Sequence, residues 1–163
     1  MTDLKFSLNN GVFLHFGKIK YSTNIALKDT MEYDALLDTG ASVSCMSVDI
    51  ASVLFRIERN ALIKKISPYK CKRKTYDYSN NEITGYNIVA KEVSLCGVRL
   101  ENLYLRLLDN KSSRIVIGSD FIRAFKSIDM EKDGCVLRGF NSGKYLMNVC
   151  ISRGGGNSKL LVY

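Results

Sequence analysis

Histidine is nearly absent from this chain of 163 residues: His15 is the only one. That removes zinc sites built on two histidines. It also leaves any serine or cysteine nucleophile dependent on a single imidazole. His15 lies in "VFLHFG" at alternating spacing with Phe13, which predicts a residue packed in a strand. Proline also occurs once. The five cysteines, at 45, 71, 96, 135 and 150, contain no C-x-x-C pair, and their number is odd. Such a pattern argues against a disulfide framework and against a zinc cage. Reduced thiols, most of them small core residues, are expected, in a cytoplasmic setting. No stretch approaches the ~20 apolar residues of a membrane span. The start "MTDLKFSLNN" lacks the basic and apolar regions of a secretory leader. The expectation is a cytoplasmic protein with no membrane association, no metal and no cofactor.

The chain is long enough for one domain with a real core and too short for two comfortable ones. Apolar residues make up 46% and charged residues 25%, a globular composition. The formal charge is +8, and it is concentrated. Residues 56–76, "RIERNALIKKISPYKCKRKTY", hold Arg56, Arg59, Lys64, Lys65, Lys70, Lys72, Arg73 and Lys74 against Glu58 alone. A solvated loop is the plain reading. A positive field facing an acidic substrate or a nucleic acid is the sharper one. The run lacks regular aromatic interleaving, so nucleic acid is the weaker of these partners.

Most segments read as short β-strands: "VFLHF", "KIKYSTNIAL" and "YDALLD", then two or three within 82–109, then "RIVIG". "GCVLRGF" and "KYLMNVCI" read as late strands separated by "NSG", and "RGGGNSK" as a turn before a last short one. Two helices are predicted. Ser47 caps one in which Ile50, Val53, Leu54 and Ile57 share a face, and Ser119 caps "DFIRAFKS". The fold class is mainly β with one or two short helices, and the strand count points to a small closed barrel.

One stretch carries chemistry. In "ALLDTGAS" three apolar residues, Ala35, Leu36 and Leu37, run straight into Asp38. Asp-Thr-Gly alone is weak, since a chain this long holds it by chance about 3% of the time. A turn aspartate normally follows polar residues, however, and this one stands at the mouth of an apolar strand. Gly40 lets backbone pass close by. Further on, "IVIGSDF" places Val116, Ile117 and Gly118 at the end of another apolar strand, just before a helix.

These elements, in this order, resemble the retropepsin-like aspartic proteases. The matching pieces are "ALLDTGAS", a hairpin within 70–97, and "IVIGSDFIRAF". The resemblance covers roughly 19–138 and leaves 139–163 as a C-terminal extension of a single domain. It is nearer to cellular members with one motif, such as the protease domain of DNA-damage-inducible ubiquitin-shuttle proteins, than to the compact viral enzymes. It implies an aspartic endopeptidase in which two carboxylates face one water and share a proton. With one Asp-Thr-Gly per chain, activity requires a homodimer that brings Asp38 of each subunit to a two-fold axis. Thr39 is expected to hydrogen-bond across that axis, and Gly40 to help hold the carboxylates coplanar. Ala41 lacks the hydroxyl that many aspartic proteases carry there, so a less acidic pH optimum than pepsin-like enzymes show is expected. Tyr76 and Tyr78 are the flap candidates, on a flap that has no glycine between Lys64 and Thr84. The substrate is a protein or peptide, acidic near the scissile bond if the basic run lines the cleft. Two alternatives carry no such chemistry: a catalytically silent dimerisation or binding module of the same fold, and a basic nucleic-acid-binding β-barrel. A Cys45–His15 thiol hydrolase is a poor fourth.

Overall fold

The computed structural model describes the backbone of residues 3–7, 12–15, 18–27, 33–77, 79–95, 98–110, 115–131, 134–153 and 161–162. Within those ranges it describes the side chains of 3–5 and of residues between 35 and 153. Chain order begins β1 (Leu4–Ser7), β2 (Val12–His15), β3 (Lys18–Leu27), β4 (Tyr33–Asp38), β5 (Cys45–Ser47), α1 (Val48–Leu54) and α2 (Arg59–Ile66). A 3-10 turn (Ser67–Tyr69) follows, then β6 (Thr75–Tyr76), β7 (Glu82–Ile83), β8 (Gly85–Ala90), β9 (Val93–Leu95), β10 (Val98–Leu100) and β11 (Leu103–Leu108). The chain ends with β12 (Ile115–Ile117), α3 (Ser119–Ile122), β13 (Phe125–Glu131), β14 (Gly134–Phe140), α4 (Ser142–Ser152) and β15 (Leu161–Val162).

The main sheet has the order β10-β9-β3-β4-β12-β5-β11-β8-β15, with β2 added on β3. A second sheet runs β1-β14-β13, and β6 pairs with β7 alone. Among the described residues the main sheet does not close, since β10 and β15 stand at its two ends. This corrects the expected barrel. Apolar strand residues specify buried surface but not closure, and an open sheet packed over one core satisfies them as well as a closed one. Leu37, Ile88, Leu105, Leu107, Ile117 and Phe121 all join a single apolar cluster. Leu4 and Tyr145 belong to it too, so both chain ends outside 19–138 feed the same core.

The helices number four among the described residues, not one or two. α1 is capped as expected: the Ser47 hydroxyl accepts from the Ile50 N–H at 3.1 Å. Val53 does not join its apolar face and is 62% exposed; Val48, Ile50, Ala51 and Leu54 form the buried face, and Ile57 lies beyond the end of the helix at Leu54. α2 lies inside the basic run that reads as a loop. Leu62 and Ile66, one turn apart, are fully buried and dock it, while its cations stay outside. A stripe that narrow is hidden among lysines in the sequence. α4 replaces the expected strand "KYLMNVCI". Asn141 of the supposed turn is its N-cap, accepting from the Lys144 N–H at 2.9 Å. Tyr145 and Val149, at i and i+4, form its buried face. Ser119 is not a cap: it is the first residue of α3, and Gly118 holds the cap position.

α4 folds back on the domain. Tyr145 joins Phe121, Phe125 and Phe140, with ring centroids 5.1–5.8 Å apart. Its hydroxyl accepts from the Tyr104 N–H at 2.9 Å. Of the described cysteines, Cys135 is buried, Cys45, Cys71 and Cys150 are half-buried, and none of the four is in a disulfide. Cys96 and the side chain of His15 lie outside the described residues, as does most of "RGGGNSK". No helix among the described residues is long and apolar enough to cross a membrane.

Candidate active site

β4 delivers Asp38 from the centre of the main sheet. It is flanked by β3, antiparallel, and by β12, parallel, in the register Ala35–Ile115, Leu36–Val116 and Leu37–Ile117. Ala35, Leu36 and Leu37 are all buried. An apolar strand between two others has no freedom to slip, because one residue of slippage would expose its core face. Asp38 is therefore held where that strand ends. It is itself 3% exposed, whereas Thr39 and Gly40 beside it are exposed.

The chain then turns. The Gly40 N–H donates to Asp38 Oδ1 at 2.9 Å, and the Ala41 N–H to the Asp38 carbonyl at 3.2 Å. The first bond fixes one carboxylate oxygen from within its own loop. The loop is pinned a second time by the segment after β12. The Ser119 N–H donates to the Ala41 carbonyl at 2.7 Å. At Gly118 the two segments touch: a Cβ there would lie 2.6 Å from the Val43 carbonyl oxygen and 2.8 Å from that of Ala41. Only glycine fits, which is the physical content of the apolar-apolar-Gly element. The structure thus brings Asp38, Thr39, Gly40, Ala41, Val116, Ile117 and Gly118 together. Tyr76 sits elsewhere, on the separate β6–β7 hairpin opposite Glu82, and is 54% exposed. Tyr78 lies outside the described residues.

A third tie went unread in the sequence. Ser44 and Asp120, 76 positions apart, meet beneath the loop. The Ser44 hydroxyl donates to Asp120 Oδ1 at 2.9 Å, and the Ser44 N–H reaches Oδ1 at 3.1 Å and Oδ2 at 3.2 Å. The same hydroxyl accepts from the Gly118 N–H at 3.0 Å. The Phe121 N–H donates to Asp120 Oδ1 at 2.8 Å. Burial pushes the Asp120 carboxyl above its ordinary value, although the bonds from Ser44 and Phe121 pull the other way. α4 reaches this knot as well, through Asn148 Nδ2 to the Asp120 carbonyl at 3.1 Å. The available sequence signal was a carboxylate in a first helical turn between apolar residues, which an ordinary dipole-favoured acid matches equally well.

Cys45 follows Ser44 and faces Val116 on one side and Arg106 on the other. Burial pushes its thiol up to about 11; Arg106 opposes that, and Asp120 and Asp38 add to it. A thiol so rarely ionised at neutral pH is a poor nucleophile, which weighs against the Cys45–His15 hydrolase. Among the described residues no cluster of three His, Cys, Asp or Glu side chains could hold a metal ion. The chemistry available here is that of a carboxylate presented by a loop tied at three points.

A family model described as aspartyl protease matches residues 23–121. No curated protein sequence matches. Among solved structures the chain is similar to a retropepsin-like aspartic protease from Rickettsia conorii, with 16% identity and a TM-score of 0.56. That match covers 84% of this chain and 99% of the other. It establishes a shared fold.

Proposed function

Since the chain belongs to the aspartyl protease family, we propose that it is an aspartic endopeptidase that works as a homodimer, with Asp38 of each subunit facing one water across a two-fold axis. One observation carries the reading. The loop bearing Asp38 is fixed by the Gly40 N–H, by the Gly118 contact and by the Ser44–Asp120 knot. A turn with no catalytic duty has no need of three such ties. A catalytic carboxylate does, because a small misplacement of a reacting group costs orders of magnitude in rate.

The chain supplies one Asp-Thr-Gly, and the chemistry needs two carboxylates. A symmetric pair solves this: the same residue arrives twice through an isologous contact. Two carboxylates held together cannot both ionise, so they share a proton. The ionised one takes a proton from water as it attacks the scissile carbonyl. The protonated one hydrogen-bonds the carbonyl oxygen, and the proton passes to the leaving amine as the tetrahedral intermediate collapses. In this reading Thr39, which is exposed, bonds across the axis, and the Gly40 N–H, which donates to Asp38 Oδ1, orients the carboxylate. The β6–β7 hairpin, turning at Asp77–Asn81, is the flap in this reading, with Tyr76 on its first arm.

A second reading, a catalytically silent module of the same fold, is favoured by the near-complete burial of Asp38 in the single chain. One experiment separates the two. Wild type and Asp38→Asn are compared on an unbiased peptide library between pH 4 and 7, over a range of enzyme concentrations. The dimeric enzyme cleaves with a rate that rises faster than linearly with concentration, and Asp38→Asn is silent. Cleavage surviving in Asp38→Asn would overturn the assignment of Asp38, and no cleavage by either would favour the silent module.

A further inference from the structure

The basic run is not a uniform solvated loop, and the fold sorts its cations. Arg59 is spent on the fold: it pairs with Asp49 and Asp109, tying α2 to α1 and to the end of β11. The stretch from Lys70 to Thr75 is different. Its two ends are fixed to the main sheet. Lys70 bridges to Tyr86, the Cys71 N–H donates to the Gly85 carbonyl at 2.8 Å, and Arg106 Nη1 reaches Thr75 Oγ1 at 3.5 Å. Between these anchors Lys72, Arg73 and Lys74 are exposed, as are Lys70 and Lys64 nearby. None of these five is in an ion pair among the described residues. The carboxylate of Asp77, the nearest downstream, is already occupied, accepting from the N–H groups of Ser79 and Asn81 at 2.9 Å each. Glu82, across the hairpin, is the one other acid close in sequence and is exposed.

We infer that this pinned basic strap, Lys70 to Lys74, is a docking surface for an acidic segment of the protein substrate, flanking the cleaved bond. The inference rests on the protease reading, because it takes the β6–β7 hairpin that the strap enters as the flap. Charge complementarity selects the occupant. Five exposed cations without carboxylate partners produce a field that draws acidic chains and repels basic ones. The anchored backbone removes much of the ordering cost that a flexible basic loop would bear on binding. A single-stranded nucleic acid fits less well. Such sites combine charge with aromatic stacking faces, and Tyr76 is the only aromatic among the exposed large side chains described.

The test uses the full chain and peptides sharing one cleaved core, flanked by three Glu, three Gln or three Lys. Three exposed ion pairs of ordinary strength amount to roughly tenfold. The expected order of kcat/KM is therefore acidic above neutral by about tenfold, with basic lowest. Raising salt should compress it. The variant K72Q/R73Q/K74Q should bring the acidic-to-neutral ratio close to one. The control K91Q/K126Q/K144Q, which removes three exposed charges elsewhere, should keep it. Equal cleavage of acidic and neutral peptides by wild type overturns the inference while leaving the protease reading intact. So does a ratio that survives in the strap variant, or falls equally in the control. Cleavage of none of the peptides counts against the protease reading instead. Fluorescence anisotropy then decides the docking question: tenfold tighter binding of the acidic peptide, lost in the strap variant, upholds an acid-docking surface. Equal binding of all three peptides overturns it, and tighter binding of a single-stranded oligonucleotide than of the acidic peptide overturns it in favour of nucleic acid.

Discussion

Replacing Gly118 with alanine tests the structural argument at its tightest point. The new Cβ would stand 2.6 Å from the Val43 carbonyl oxygen, 2.7 Å from the Val43 carbonyl carbon and 2.8 Å from the Ala41 carbonyl oxygen. All three are backbone atoms of the Asp38 loop, so no side-chain rotation relieves the clash. Overpacking of this kind costs about 1–3 kcal/mol. Separating the segments also stretches the 2.7 Å bond from the Ser119 N–H to the Ala41 carbonyl, a loss of about 1 kcal/mol. The sum, about 2–4 kcal/mol, lowers the melting temperature of a domain this size by roughly 5–10 °C. The functional effect is larger. Restoring ordinary contact, at 3.4 Å or more, needs a shift of about 0.8 Å in the loop that aims Asp38, and displacements on the order of 1 Å cost ~100-fold in rate. Gly143→Ala is the control. Its Cβ meets only Asn141 Oδ1, at 3.4 Å, inside helix α4, where alanine is favoured by about 0.5–1 kcal/mol. Thermal unfolding and peptide cleavage are measured for both. A Gly118→Ala protein that melts with wild type and cleaves within twofold of it would refute the claim that this contact sets the loop.

Asp120→Ala leaves the Ser44 hydroxyl, the Ser44 N–H and the Phe121 N–H without their shared acceptor; a loss of about 2–5 kcal/mol is expected by urea unfolding, whereas Asp120→Asn keeps an acceptor and should lose less. Because burial raises the Asp120 carboxyl, the folded chain holds that proton more tightly than the unfolded one. The resulting stabilisation is full below the ordinary value of 3.8 and fades as pH rises through the raised folded value. Wild type should therefore lose stability relative to Asp120→Asn as pH climbs from 4 to 7, and a constant difference would contradict this. The Cys45 thiol, pushed up to about 11 by burial, should react with a thiol reagent at pH 7 far more slowly in the native chain than in the unfolded one, and alkylation under native conditions should leave cleavage intact. Ala41→Ser supplies the missing hydroxyl next to Asp38-Thr39-Gly40, and the pH–rate profile should move to lower pH; a profile that stays in place removes Ala41 as the cause of any weakly acidic optimum.

Local chemistry made part of this protein readable. Ala35-Leu36-Leu37 entering Asp38 reads as a buried strand presenting a carboxylate, and the strand is found in that role. Ser47 reads as a cap because its hydroxyl satisfies an N–H three residues on, a contact that needs no tertiary partner. The misreadings share a cause. Val149, Cys150 and Ile151 favour strands by propensity, yet "KYLMNVCI" is helical because Tyr145 and Val149 find the Phe121 cluster from one helical face. Within 56–76 the charges conceal Leu62 and Ile66, whose importance appears only when a core receives them.

The sequence by itself determined the apolar strand that ends in Asp38 and the single copy of Asp-Thr-Gly on which the proposed dimer rests, since an apolar run and a tripeptide are local facts. It also determined the amount of positive charge in 56–76. Which cations are spent on the fold and which face outward was decided by where Asp49 and Asp109 come to lie. Tertiary structure alone decided the joining of Ser44 to Asp120 and the close approach that excludes any Cβ at Gly118. It alone left the main sheet open among the described residues. These are contacts between segments about 75 positions apart, and nothing in the chemistry of one residue announces which distant group will satisfy it.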